Sequence, residues 1–183
     1  HNPGEQWCVW HTKTARSPCS VRGVVTAKTQ YNLKNAREYF EEHLCVGDYY
    51  DEGQRVAGEW VGVGAARLGL AGKVRADDFM RLCENQHPGT GEKLTQRQNT
   101  TRTEGDTNTA NRRIFYDFTF SPPKSVSLVG FLGNDERIFE AHARAVQAAL
   151  KDFEAFAATR VRVGGVRSER FTGNFVAAQF THD

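Results

Sequence analysis

The sequence predicts an α+β domain, a mostly antiparallel central sheet with helices packed on it. Three stretches carry that reading. Phe115 to Phe120 puts four aromatics in six residues and ends in a proline-led helix start, a composition suited to a strand. From Asn134 or Asp135 to about Thr159, Phe139, His142, Val146, Ala149, Leu150, Phe153 and Phe156 trace one helical face. The closing run FTGNFVAAQFTHD, Phe171 to Asp183, alternates as a strand does.

The elements follow in order. Residues 1–20 show no clear period and read as a poorly structured extension, with Trp7 and Trp10 tacked onto the surface. Residues 21–183 then form the domain. Val21 to Thr26 is a short first strand. Asn32 caps a helix to about His43, on which Leu33, Ala36, Tyr39, Phe40 and Leu44 recur at helical spacing. A turn at Val46-Gly47-Asp48 leads to Tyr49-Tyr50. Aromatics are usually core, but paired tyrosines beside a turn each need a partner for the hydroxyl. Gly53 to Gly64 is glycine-rich around Trp60. Ala65 to Leu70 is helix-like, and Ala76 to Glu84 is a short amphipathic helix with Asp77 and Asp78 in its first turn, favourable to the helix dipole. His87-Pro88-Gly89 ends it.

Gly91 to Arg113 is nearly free of large apolar side chains. Its cations Lys93, Arg97, Arg102, Arg112 and Arg113 outnumber its acids. A polar basic loop or hairpin this long either contacts nucleic-acid backbone or is simply solvated. Next comes NRRIFYDFTFSPPK, Asn111 to Lys124. Alternation puts Ile114, Tyr116, Phe118 and Phe120 on one face, with Phe115, Asp117 and Thr119 on the other. A carboxylate inside an aromatic strand is costly unless something holds or uses it. Ser121 reads as an N-cap, Pro122 and Pro123 as first helical positions, and Ser125 to Phe131 as the helix body. Free amides at that start, with Lys124 beside them, suit a phosphate. On pattern alone, a core strand and a capped helix suffice. After the long helix, Val161 to Val163, a Gly164-Gly165 turn and Val166 to Glu169 form a hairpin. In the final strand Val176, Ala178, Phe180 and His182 share one face, with Phe175, Ala177, Gln179 and Thr181 on the other. A lone histidine is by itself a weak ligand signal.

The totals fit one sizeable soluble domain: 183 residues, 39% hydrophobic, 25% charged. A net charge of +2 is only a faint hint toward polyanions. No apolar run approaches a membrane span, so membrane insertion is not expected. The cysteines at 8, 19, 45 and 83 have neither metal spacing nor the density of a disulfide framework, and read as reduced thiols of a cytoplasmic protein.

Taken together, AREYF…DYY, EWVGVGAARLGL, DFTFSPPKSVSL, IFEAHARAVQAAL and FTGNFVAAQFTHD resemble, in order and spacing, the relaxase domain of MobF-type conjugative relaxases, the TrwC/TraI class. The resemblance runs from about Val21 to Asp183 and implies an HUH-endonuclease fold. It implies a single-strand DNA nickase of plasmid transfer, in which a tyrosine attacks the scissile phosphate to give a 5′-phosphotyrosine and a free 3′-hydroxyl. By motif position Tyr39 is the first nucleophile, with Phe40 where a second tyrosine often stands. Tyr49-Tyr50 resembles the pair that serves strand transfer. Asp117 matches the acid that orients a histidine or accepts the phenol proton. His182 matches the first of three histidines around a divalent metal, Mg2+ or Mn2+. Lys124, Arg97, Arg102, Arg112 and Arg113 would meet the single-stranded origin DNA, and other relaxosome proteins are possible partners.

The family's other two metal histidines follow about a dozen residues later, beyond Asp183, and a helicase region usually comes after them. The expectation is therefore a C-terminally incomplete domain that binds metal poorly and cuts slowly. The alternative is a single-stranded DNA or hairpin-binding module without catalysis.

Overall fold

The structure is a computed structural model that describes residues 6–13, 24–39, 58–95, 101–104, 107–110 and 113–182. Five strands form the main sheet: β1 (Gln6–Lys13), β2 (Val24–Gln30), β3 (Glu59–Val61), β6 (Phe115–Ser121) and β9 (Phe175–His182), in the order β2-β6-β1-β9-β3. β4 (Thr101–Glu104) and β5 (Thr107–Ala110) make one hairpin, and β7 (Ala158–Val163) and β8 (Val166–Phe171) another. The helices are α1 (Leu33–Tyr39), α2 (Val63–Arg67), α3 (Ala76–Cys83), α4 (Lys124–Gly133) and α5 (Glu136–Ala155).

The α+β class is as expected, and four of the six ladders are antiparallel. The two central ladders are not: β1 runs parallel to both β6 and β9. This corrects the reading of the N-terminal stretch as a loose extension. Gln6–Lys13 is the middle strand of the sheet. The two-residue alternation that marks a strand with one wet face is lost in strands covered on both faces. WCVW within it is such an unbroken apolar run.

Side chains of β6 and β9 alternate between two cores. Phe115, Val176, Ala178 and Phe180 join Ala36 of α1, Trp60, Ala65 and Leu68 around α2, and Phe79, Leu82 and Cys83 of α3. Phe120, Phe175 and Ala177 join Val146 and Leu150 of α5, with Tyr116 and Phe118 packed alongside. Each layer thus covers one face of the sheet. Phe79 and Phe115 meet edge-to-face with ring centroids 5.8 Å apart, a geometry that adds to area burial. Glu154 on α5 ties the layers together. Its Oε1 accepts from the Phe175 amide at 3.2 Å and from the Val63 amide, at the start of α2, at 2.7 Å. The approach of α2 to β9 requires glycine, because a Cβ on Gly64 would lie 2.6 Å from the Phe175 carbonyl oxygen.

The turn from β6 into α4 departs from expectation. Ser121 ends the strand rather than capping the helix, and Pro123 is the N-cap, with φ −54° and ψ 141°. A residue before proline is pushed out of the helical region, so Pro122 cannot begin a helix. α4 ends on Asn134 in the left-handed conformation. Asp135 then caps α5, accepting from the Arg137 amide at 3.1 Å. Its carboxylate is held below the ordinary range, chiefly by the Arg137 side-chain hydrogen bond. The outer surface of α4 is apolar: Leu128, Val129, Phe131 and Leu132 are all exposed, Leu132 at 85%.

Between α4, α5 and β2 lies a cavity of about 800 Å³, lined by Val25, Phe120, Pro123, Val126, Ile138 and His142 among others. His142 is half-buried, and its Nε2 is shut off from solvent with no hydrogen-bond partner among the described residues. Burial holds this imidazole below its ordinary 6.5.

Two predictions follow from this packing. Phe79→Ala should lower stability by about 3–5 kcal/mol, read as a shifted urea midpoint. A shift under about 1 kcal/mol would show that Phe79 is not a core keystone. As pH falls below about 6.5 the unfolded chain takes up the His142 proton before the folded chain does, so stability falls through that window. Between about pH 7.5 and pH 5.5 the melting temperature should drop less in His142→Leu than in the unmodified chain. Equal drops in the two proteins would exclude His142 as the cause.

Candidate functional site

The expected site residues fall in three groups. Tyr49, Tyr50, Arg97 and Arg112 lie outside the described residues. Tyr39, Arg102 and His182 are placed by their backbone: Tyr39 is the last residue of α1, Arg102 lies on β4, and His182 is the last residue of β9. Asp117, Lys124 and Arg113 are described with their side chains.

Asp117 sits mid-way along β6, half-buried, with Oδ1 closed to solvent. Alternation sets it on the Phe115 face, which is the face α1 covers, since Ala36 of α1 is fully buried in the core that holds Phe115 and Phe180. The same alternation gives His182 a register position on the Ala178–Phe180 side of β9. Tyr39, Asp117 and His182 therefore belong to one layer of the fold.

They are not neighbours within it. Asp117 and His182 do not lie on adjacent strands, because β1 stands between β6 and β9. Val9 of β1 is in register with Asp117 and with Ala178, whereas His182 is in register with Lys13. Two strand spacings and four residue steps give a Cα separation on the order of 16 Å, too far for both side chains to meet one ion. Among the described residues, no three His, Cys, Asp or Glu side chains group closely enough to hold a metal. The donor chemistry also bears on which ion would suit. An imidazole favours transition ions such as Zn2+ or Cu2+, whereas Mg2+ takes oxygen ligands. The described residues thus do not complete a metal centre.

The basic residues divide. Lys124 is exposed at the first position of α4, where amides are free by helix geometry. Arg113 is exposed, but its guanidinium lies 5.1 Å from the centroid of the Tyr116 ring. Tyr116 packs with the α5 core, so Arg113 is engaged on the face opposite Asp117. Arg102 is on a hairpin, in agreement with the loop-or-hairpin reading of that stretch.

Two residues escaped the sequence reading. Lys28 on β2 is the direct antiparallel partner of Asp117. His11 on β1 is in register with Thr119 and with Phe180, between the strands of Asp117 and His182. Nothing local in the sequence marks either one, because both depend on which strands pair.

Comparison with known proteins now places this arrangement. The chain belongs to the TrwC relaxase family, whose profile matches residues 33–183. Among curated relatives, the multifunctional conjugation protein TraI of Escherichia coli is 43% identical over 124 residues, covering 68% of this chain and 6% of its own length. Among solved structures, the conjugative relaxase TrwC in its metal-bound complex with oriT DNA superposes with a TM-score of 0.64 at 33% identity, covering 87% of this chain and 51% of that one. TrwC bound to a 27-mer DNA comprising the recognition hairpin and the cleavage site gives 0.59 at 30% identity, covering 84% and 47%. The chain therefore spans about half of the solved relaxase chains and a small part of TraI. No helix among the described residues is long and apolar enough to cross a membrane.

Proposed function

We propose that this chain is the nuclease part of a conjugative relaxase, which nicks single-stranded origin DNA by transesterification. The observation that carries the proposal is the family match across residues 33–183, which includes both the end of α1 with Tyr39 and the whole of β6 with Asp117. The structures of TrwC with oriT DNA, and with a 27-mer that comprises the recognition hairpin and the cleavage site, support origin DNA as the partner.

In this reading the Tyr39 phenol oxygen attacks phosphorus. A Tyr–O–P bond forms, the P–O3′ bond breaks, and the departing oxygen takes a proton to become the free 3′-hydroxyl. A phenol with an ordinary pKa near 10 is a weak nucleophile at neutral pH. Asp117 serves by accepting the phenol proton or by orienting an imidazole that does so. Tyr49 or Tyr50 would serve the later strand-transfer step. Lys124, together with Arg97, Arg102 and Arg112, would hold the phosphate backbone. His182 would be one ligand of a divalent metal, which would supply Lewis-acid polarisation of the scissile phosphate.

A second reading rests on the separation of Asp117 from His182 across β1. A centre that is not drawn together leaves a module that binds single strands without cutting them.

The test is incubation with a single-stranded oligonucleotide from the cognate origin plus Mg2+ or Mn2+, with covalent adduct read on a denaturing gel. An adduct lost in Tyr39→Phe, and reduced about 10²–10⁴-fold in Asp117→Asn with an unchanged melting temperature, is the expected result. Adduct that survives Tyr39→Phe sinks the nucleophile assignment. Salt-sensitive binding with no adduct at all would leave the binding module as the function.

A further inference from the structure

We propose that Lys28 is a phosphate-contacting residue of the nicking site, set beside Asp117 by the pairing of β2 with β6. The inference rests on the single-stranded DNA reading above and adds a residue that the reading did not contain.

Lys28 and Asp117 are direct partners in the antiparallel ladder. Cross-strand partners project to the same face with Cβ atoms about 4.5–5.5 Å apart. Lys28 is exposed while Asp117 is half-buried. None of the ion pairs described engages Lys28. Its register neighbours on β2, Thr26 and Gln30, are polar as well, which makes this edge of the sheet a wet strip rather than a core.

The same strand leads straight to the nucleophile. Gln30 ends β2, and its Oε1 accepts from the Tyr31 and Asn32 amides at 3.1 and 3.2 Å, which fixes the entry into α1. α1 packs over the Asp117 face and ends on Tyr39. One continuous strand–helix unit thus carries Lys28 and Tyr39 to the layer where Asp117 sits.

The chemistry gives such a cation a task. A phosphodiester that reaches Tyr39 on this face also meets the Asp117 carboxylate, and like charges repel. An ammonium one strand away offsets that repulsion and gives the phosphate a counter-charge. Lysine suits this task because it acts as a point charge on a long stem. Cross-strand register, not sequence proximity, creates the pair, as 89 positions separate residues 28 and 117.

The experiment measures binding of the full chain to fluorescein-labelled oligothymidine across a KCl series by anisotropy. Each phosphate contact adds about 0.7 to the salt slope for a single strand. Lys28→Gln should lower the slope by about that amount and weaken binding several-fold at low salt, while Lys28→Arg stays close to the unmodified chain. Lys151→Gln, an exposed change on α5 against the opposite core, should leave the slope unchanged. Asp117→Asn should strengthen binding by removing the repulsion. A Lys28→Gln slope equal to that of the unmodified chain overturns the assignment, and so does an equal loss in Lys151→Gln. Failure of the unmodified chain to bind at all overturns the DNA reading itself, a separate result.

Discussion

Strand β9 must satisfy two cores at once. Phe175 and Ala177 belong to the core under α5, and Val176, Ala178 and Phe180 to the core under α1, α2 and α3. That double burial leaves almost no exposed surface on the strand from Phe175 to Ala178. A backbone buried on both faces has to find its hydrogen bonds within the sheet. β1 supplies them on one side and β3 on the other. The position of everything else follows from this: α5 is held by Glu154 to the first amide of β9, and α2 lies so near the same strand that a glycine is required.

Sheet alternation was readable where strands are long and aromatic. The faces assigned to Tyr116, Phe118 and Phe120, and to Val176, Ala178 and Phe180, are those that the two cores occupy, whereas Ile114, assigned to the Tyr116 face, precedes β6 and packs in the core with Phe115. The hairpin around Gly164-Gly165 was readable too, since both glycines take positive φ. Three features were not. β1 lacks period-two patterning, since WCVW is an unbroken apolar run of the kind found in strands covered on both faces. β3 has only three residues, too few for any period. The start of α4 was set two residues too early, because the restriction that Pro123 places on Pro122 outweighs the capping preference of Ser121.

The candidate site shows the same divide. Asp117 drew attention locally, as an acid in an aromatic strand, and the family motifs supplied Tyr39 and His182. The distance between Asp117 and His182 could not be read, because it depends on a strand inserted between theirs. Lys28 was hidden for a related reason. A lysine on a polar edge strand looks ordinary until register sets it opposite a half-buried carboxylate. Motifs therefore locate residues along strands, while strand order decides which of them meet.

The bare apolar surface of α4 bears on the thermodynamics of the whole chain. Leu128, Val129, Phe131 and Leu132 are already hydrated in the folded state, as are Phe156, Val166 and Phe171 elsewhere. Unfolding exposes less new apolar area than the chain length alone suggests. Heat capacity and denaturant sensitivity both scale with that newly wetted area. The stability curve of this chain is accordingly flatter with temperature, and its response to urea shallower, than for a domain of equal length with a covered helix.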